Sequence, residues 1–159
     1  MNAGSDTNTD LLGTVRAITE GEPDLIANCA NAAAVLYHGL SNVNWVGFYY
    51  RRGSELVLGP FQGKPACIRI PMGNGVCGTA ASSQETLVVP DVHAFPGHIA
   101  CDAASNSEIV VPLIHNGTVV GVLDVDSPLY NRFGAEEKDV LEAVTACIVQ
   151  RTFSAAVSE

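Results

Sequence analysis

Positive charge is scarce in this chain: 159 residues carry 8 Lys and Arg against 17 Asp and Glu, a formal net charge of −9. Such a surface repels a phosphate backbone and an anionic bilayer alike, so neither nucleic acid nor membrane is an expected partner. Long apolar runs are missing too. Stretches such as Ile109 to Ile114 are soon broken by polar residues or Gly, well short of a bilayer span. The opening MNAGSDTNTD has neither a basic start nor the apolar stretch of a secretory signal, and the expected location is the cytoplasm. Repeats, low-complexity tracts and Pro/Gly-rich linkers are lacking as well. With 47% apolar and 16% charged residues, the composition suits a single domain over 1–159, with 1–9 as a polar tail.

Cysteine is present in an odd number, five, without the density of a secreted disulfide scaffold. In a reducing compartment these thiols are packed, metal-bound or reactive. Cys29 and Cys147 fall on apolar faces of predicted helices and read as packing residues. Cys67, Cys77 and Cys101 fall in the irregular middle of the chain, Gln62 to Ser107. A zinc site would draw on His93, His98 and Cys101, but the spacing lacks the tight ligand pairs of structural zinc. Cys101 lies among small loop residues, which favours exposure, whereas neighbouring Asp102 opposes ionisation. Spacing alone leaves it open between a reactive and an inert thiol.

The order of elements predicts an α+β fold on an antiparallel sheet. Asp10 is placed as a cap before a first helix, and a second runs from Leu25 to about Gly39. Asn44–Tyr50 and Glu55–Phe61 read as paired strands joined by a turn. Gly75–Ser82 reads as a short helix and Thr86–Val89 as a short strand. Glu108–Ile114 and Thr118–Asp126 flank His115-Asn116-Gly117, and Asn-Gly is a strong hairpin turn. Pro112 interrupts the first of these strands and requires an edge, bulge or solvent on its N side. A last helix starts at Ala135, with Val140, Leu141, Val144 and Ile148 on one face.

Carboxylates gather at one end of that hairpin. Asp124 and Asp126, two apart, share a strand face. Val120 and Val122 are assigned to the same face, and Val119, Leu123 and Val125 to the other. Equal counting from the turn brings Glu108 opposite them. The acids are either a solvated strand end before Ser127-Pro128 or a pocket in which crowded carboxyl groups raise one another's pKa and attract an ammonium.

NWVGFYY (Asn44 to Tyr50), LGPFQGKPACIRIPMGNGVCGTAA (Leu58 to Ala81), VPDVHAFPGHIACDAASNSEIVVPL (Val89 to Leu113) and GVLDVDSP (Gly121 to Pro128) resemble the free methionine-R-sulfoxide reductase family over nearly the whole chain. The resemblance implies a GAF-like fold: a central antiparallel sheet with helices packed on one face and a loop-enclosed pocket on the other. It implies Cys101 as the catalytic cysteine and Cys67 or Cys77 as the resolving one, with Cys67 favoured and Cys77 an auxiliary partner. Glu108, Asp124 and Asp126 match the acid and substrate-binding positions, with Glu108 the catalytic acid, and Trp45 and Tyr49 the pocket wall. Also implied are a thioredoxin-type reductant, a homodimer, and chemistry needing no metal or organic cofactor. The alternative on the same fold is a redox or small-ligand sensor, since fold alone does not decide function. Cyclic-nucleotide binding is disfavoured, because acids gather where phosphate needs cations or helix N-termini.

Overall fold

The structure, a computed structural model, describes residues 3–98 and 103–154, with residues 3–9 as backbone only. Its sheet is organised by the Asn116-Gly117 turn. Both residues have positive φ, 50° and 74°, the twist that a two-residue hairpin turn needs to match its strands. The turn joins β5 (Ser107–His115) to β6 (Thr118–Ser127). On the far side of β6 lies β1 (Trp45–Arg52), followed by β2 (Glu55–Gly63) and the short β3 (Arg69–Pro71), while β4 (Leu87–Val89) flanks β5. The order is β3-β2-β1-β6-β5-β4, every neighbouring pair antiparallel. Pairing of β4 with β5 stops at Val110. Pro112 therefore sits where β5 has no neighbour on that side, one residue from a bulge between Leu113 and Ile114.

Three helices, α1 (Ala3–Ile18), α2 (Leu25–Gly39) and α4 (Ala135–Ser154), cover one sheet face. Asp24 caps α2, accepting from the Ala27 N–H at 2.8 Å. Val15, Leu36, Leu141, Val144 and Ile148 pack there against Val46, Phe48, Ile109, Leu123 and Val125. The expected last helix and its apolar face are therefore present.

The opposite face carries a second cluster, in which Trp45, Tyr49, Val110 and Val122 meet Val76, Cys77, Ala80 and Ala81. Those last four lie on α3 (Gly75–Ser83). One helix of the four thus contributes to the pocket side beside the loops that enclose it.

Two local expectations are corrected. Residues 3–9 extend α1 rather than forming a tail, and Asp10 lies inside the helix. A capping residue permits a helix start without enforcing one, and no proline precedes Asp10 to stop the helical backbone. Cys77 belongs to the first turn of α3, within the short helix expected from Gly75 to Ser82. Val119 joins the pocket-side cluster and Val120 the helix-side one. The pairing steps from Leu113↔Gly121 to Ile114↔Val119, so Val120 is the extra residue of a bulge and the alternation inverts beyond it.

Candidate active site

Register brings the acids together. Glu108 pairs directly with Asp126, and Asp126 on its other side with Trp45. Asp124 is flanked by Val110 on β5 and Gly47 on β1. Gly47 has no side chain to fill the space beside Asp124, and the Trp45 indole occupies it instead. A Cβ on Gly47 would lie 2.5 Å from that ring and 2.4 Å from the Phe61 Cβ. Trp45 stacks on Phe61, with centroids 5.3 Å apart, and on Tyr49 at 6.0 Å. Trp45, Tyr49, the three acids and Cys77 line one pocket, joined by Asn74, Gly75 and Val76 at the start of α3 and by Ile70, His98 and Ser105.

The aromatic wall also holds a loop. Trp45 Nε1 donates to the Lys64 carbonyl at 3.0 Å, and the Tyr49 hydroxyl to the Cys67 carbonyl at 3.0 Å. The loop from Lys64 to Ile68 is thereby pinned at two points over the pocket. Cys67 is partly buried against the pocket-side cluster and is disulfide-bonded, whereas Cys29, Cys77 and Cys147 carry free thiols. Cys101, the expected catalytic cysteine, lies outside the described residues, as do Ile99, Ala100 and Asp102. The chain on either side is anchored. His98 N–H donates to the Phe95 carbonyl at 3.2 Å, and Ser105 Oγ accepts from Asn44 Nδ2 at 3.1 Å. Asn106 receives a contact from His93 at 3.0 Å and donates to the Pro128 carbonyl at 2.8 Å. His93 is thus engaged with Asn106, and His98 faces the pocket.

Glu108 and Asp124 are each only 7% exposed. Burial raises the pKa of both. For Asp124 the nearby charges of Asp126 and Glu108 push the same way, and the shift is large. For Glu108 the contacts with Asp124 and Cys77 pull in the other direction without cancelling the rise. One Asp124 oxygen, Oδ1, is buried without a hydrogen-bond partner. Cys77 donates its S–H toward Glu108 Oε1 at 3.9 Å. Burial holds the Cys77 thiol well above its ordinary pKa, with the Asp124 and Glu108 charges adding to the effect, so it rests as a thiol. Burial likewise pushes Cys29 up to about 12, as befits a packing residue. Cys147 is buried on α4 beside Thr19 Oγ1, 3.7 Å from its sulfur.

Chemically, the pocket presents an aromatic slot suited to an apolar group, a buried carboxyl whose raised pKa favours a proton it can donate, and an unpartnered acceptor suited to a cation. The first turn of α3 adds backbone N–H groups that a helix leaves unpaired and that favour an anion. Asn74 makes no capping bond there. Asn74, Gly75, Val76, Ile70 and Ser105 were not singled out from sequence. Asn74, a residue type suited to an N-cap, is the one sequence signal that could have pointed to the α3 end, and nothing in the linear order places it opposite β6.

Comparison with known proteins agrees with this architecture. The GAF domain model matches residues 24–150. The free methionine-R-sulfoxide reductase of Escherichia coli is 50% identical over 137 residues, covering 86% of this chain and 83% of that protein. The free methionine-R-sulfoxide reductase of Saccharomyces cerevisiae is 45% identical, covering 93% and 89%. The X-ray structure of free methionine-R-sulfoxide reductase from Neisseria meningitidis, in complex with its substrate, superposes with a TM-score of 0.93 at 40% identity, covering 100% of this chain and 96% of that one.

Proposed function

This chain belongs to the free methionine-R-sulfoxide reductase family of GAF domains, and from that membership we propose that it reduces free L-methionine-R-sulfoxide to L-methionine. The observation that carries the reading is the convergence of Glu108, Asp124 and Asp126 with Trp45 and Tyr49 on one pocket. Each part of a free amino acid finds its complement there. The substrate ammonium is held by Asp124 and Asp126, with the unpartnered Asp124 Oδ1 accepting a hydrogen bond from one of its N–H groups. The thioether end lies along the Trp45 and Tyr49 rings. The substrate carboxylate is met by the N-terminus of α3.

In the reaction, the Cys101 thiolate attacks the sulfoxide sulfur while Glu108 gives a proton to the sulfoxide oxygen. The raised pKa of Glu108 keeps that proton available. Transfer of the oxygen to Cys101 releases methionine and leaves Cys101 as a sulfenic acid. Condensation with the Cys67 thiol expels water and forms a disulfide. An external dithiol of the thioredoxin type reduces that disulfide by exchange and is itself oxidised. Support for Cys67 as the resolving residue comes from its position over the pocket and its disulfide-bonded state. Cys77, a buried free thiol on a helix, fits an auxiliary role through its contact with Glu108.

The cycle draws its electrons from thiols and calls for no metal or organic cofactor. The enzyme works in the cytoplasm as a homodimer. No helix among the described residues is long and apolar enough to cross a membrane.

Selectivity for the free amino acid follows from the ammonium. A peptide-bound residue lacks it, and would leave the aspartates buried without a cation, at a cost of a few kcal/mol. The test is the ratio of turnover on free methionine-R-sulfoxide to turnover on the N-acetylated compound. Asp126→Ala is expected to raise KM for the free substrate and shrink that ratio. A wild-type enzyme that reduces both compounds equally well would contradict the reading.

A further inference from the structure

Cys77, Glu108 and Asp124 come from three different elements, the first turn of α3, the start of β5 and the middle of β6. One ligand atom of each, a sulfur and two carboxylate oxygens, lies within 4.8 Å of the others, and all three residues are buried. In a tetrahedral zinc site with Zn–S of about 2.3 Å and Zn–O of about 2.1 Å, such atoms stand roughly 3.5 Å apart. Side-chain rotations that draw the three inward by about 1 Å therefore suffice. Independently of this clustering, Asp124 Oδ1 is a buried acceptor without a partner. No Lys or Arg is among the described residues lining the pocket, so nothing there competes with an incoming cation.

We propose that Cys77, Glu108 and Asp124 form a binding site for a thiophilic divalent cation, Zn²⁺ being the fitting physiological ion. A thiolate with two carboxylates is a borderline-soft donor set that suits Zn²⁺ over Mg²⁺ or Ca²⁺, which take oxygen ligands throughout. On binding, the Cys77 thiol and any protonated carboxyl of Glu108 and Asp124 release their protons to solvent, and the metal neutralises the charges so formed. The ion is an inhibitor rather than a cofactor: it occupies the ground where Asp124 would hold the substrate ammonium. That consequence rests on the function proposed above, while the metal site itself does not.

The test uses the full chain in its oxidised form, with Cys67 disulfide-bonded and no added thiol, titrated with Cd²⁺ as a spectroscopic substitute and with Zn²⁺ by calorimetry. The expected result is one ion bound per chain, with a sulfur-to-cadmium charge-transfer band in the ultraviolet. Cys77→Ser abolishes the band, and Asp124→Asn or Glu108→Gln weakens binding by about tenfold or more, each variant checked for an unchanged circular dichroism spectrum. Absence of the band, or a band unchanged in Cys77→Ser, overturns the proposal. Turnover by the metal-free enzyme is measured separately, so that failure of the reductase reading is distinguishable from failure of the metal site.

Discussion

The Tyr49 hydroxyl donates a 3.0 Å hydrogen bond to the carbonyl of Cys67, joining a strand residue of the pocket wall to the residue proposed to resolve the disulfide. Burial holds the Tyr49 hydroxyl above its ordinary pKa, with the charge of Asp124 adding to the effect, so it stays a neutral donor. The pocket wall and the loop from Lys64 to Ile68 are thus mechanically joined.

Tyr49→Phe removes that tether and keeps the ring. A loss of about 1 kcal/mol in stability is expected by urea unfolding. Substrate binding should change little, while the disulfide forms more slowly after a single turnover. Trapping of a longer-lived sulfenic acid by a dimedone-type reagent would show it. Unaltered disulfide formation would separate Tyr49 from the loop's function.

Glu108→Gln keeps the size of the side chain and loses the acid. The expected effect is a fall in kcat of about 10²–10⁴ with KM changed much less, the range ascribed to a positioned proton donor. Because the pKa of Glu108 is raised, the wild-type rate should fall as pH climbs through that raised value. A mutant that loses affinity but retains kcat would move Glu108 to a binding role.

Asp124→Asn is expected to stabilise the protein and impair the enzyme. With its pKa raised by burial, the folded state holds the Asp124 proton more tightly than the unfolded chain does. The corresponding stability is fully present below the ordinary carboxylate pKa, about 4, and is lost as pH rises through the raised value. Above that, the wild type carries a buried charge that the amide lacks. Thermal unfolding should therefore show a higher Tm for Asp124→Asn at pH 8, with the gain shrinking toward pH 4. A lower Tm across the whole range would refute the assignment.

Much of this arrangement was legible before folding because it depends on local rules. Asn116-Gly117 specifies a two-residue turn, and the turn sets the register that places Glu108 opposite Asp126. The side of the sheet taken by Val119 and Val120 was not legible, because a one-residue bulge inverts the alternation and leaves no mark in composition. Arg69–Pro71 is too short for a periodic signal and becomes a strand only by pairing with Glu55–Val57. Gly75–Ser82 reads as a short helix from sequence, but its place over β5 and β6 is tertiary. With that placement came the burial of Cys77 beside Glu108, a contact across 31 positions. Gly47 likewise reads as an ordinary strand glycine until Trp45 is seen lying over it.

The most direct test is turnover of free L-methionine-R-sulfoxide by the reduced enzyme with a thioredoxin system, comparing wild type with Cys101→Ser. The account predicts steady turnover by the wild type and none by the variant, with both proteins folded. Absence of turnover by folded, reduced wild type would contradict it and leave a redox or small-ligand sensor as the better reading of the pocket.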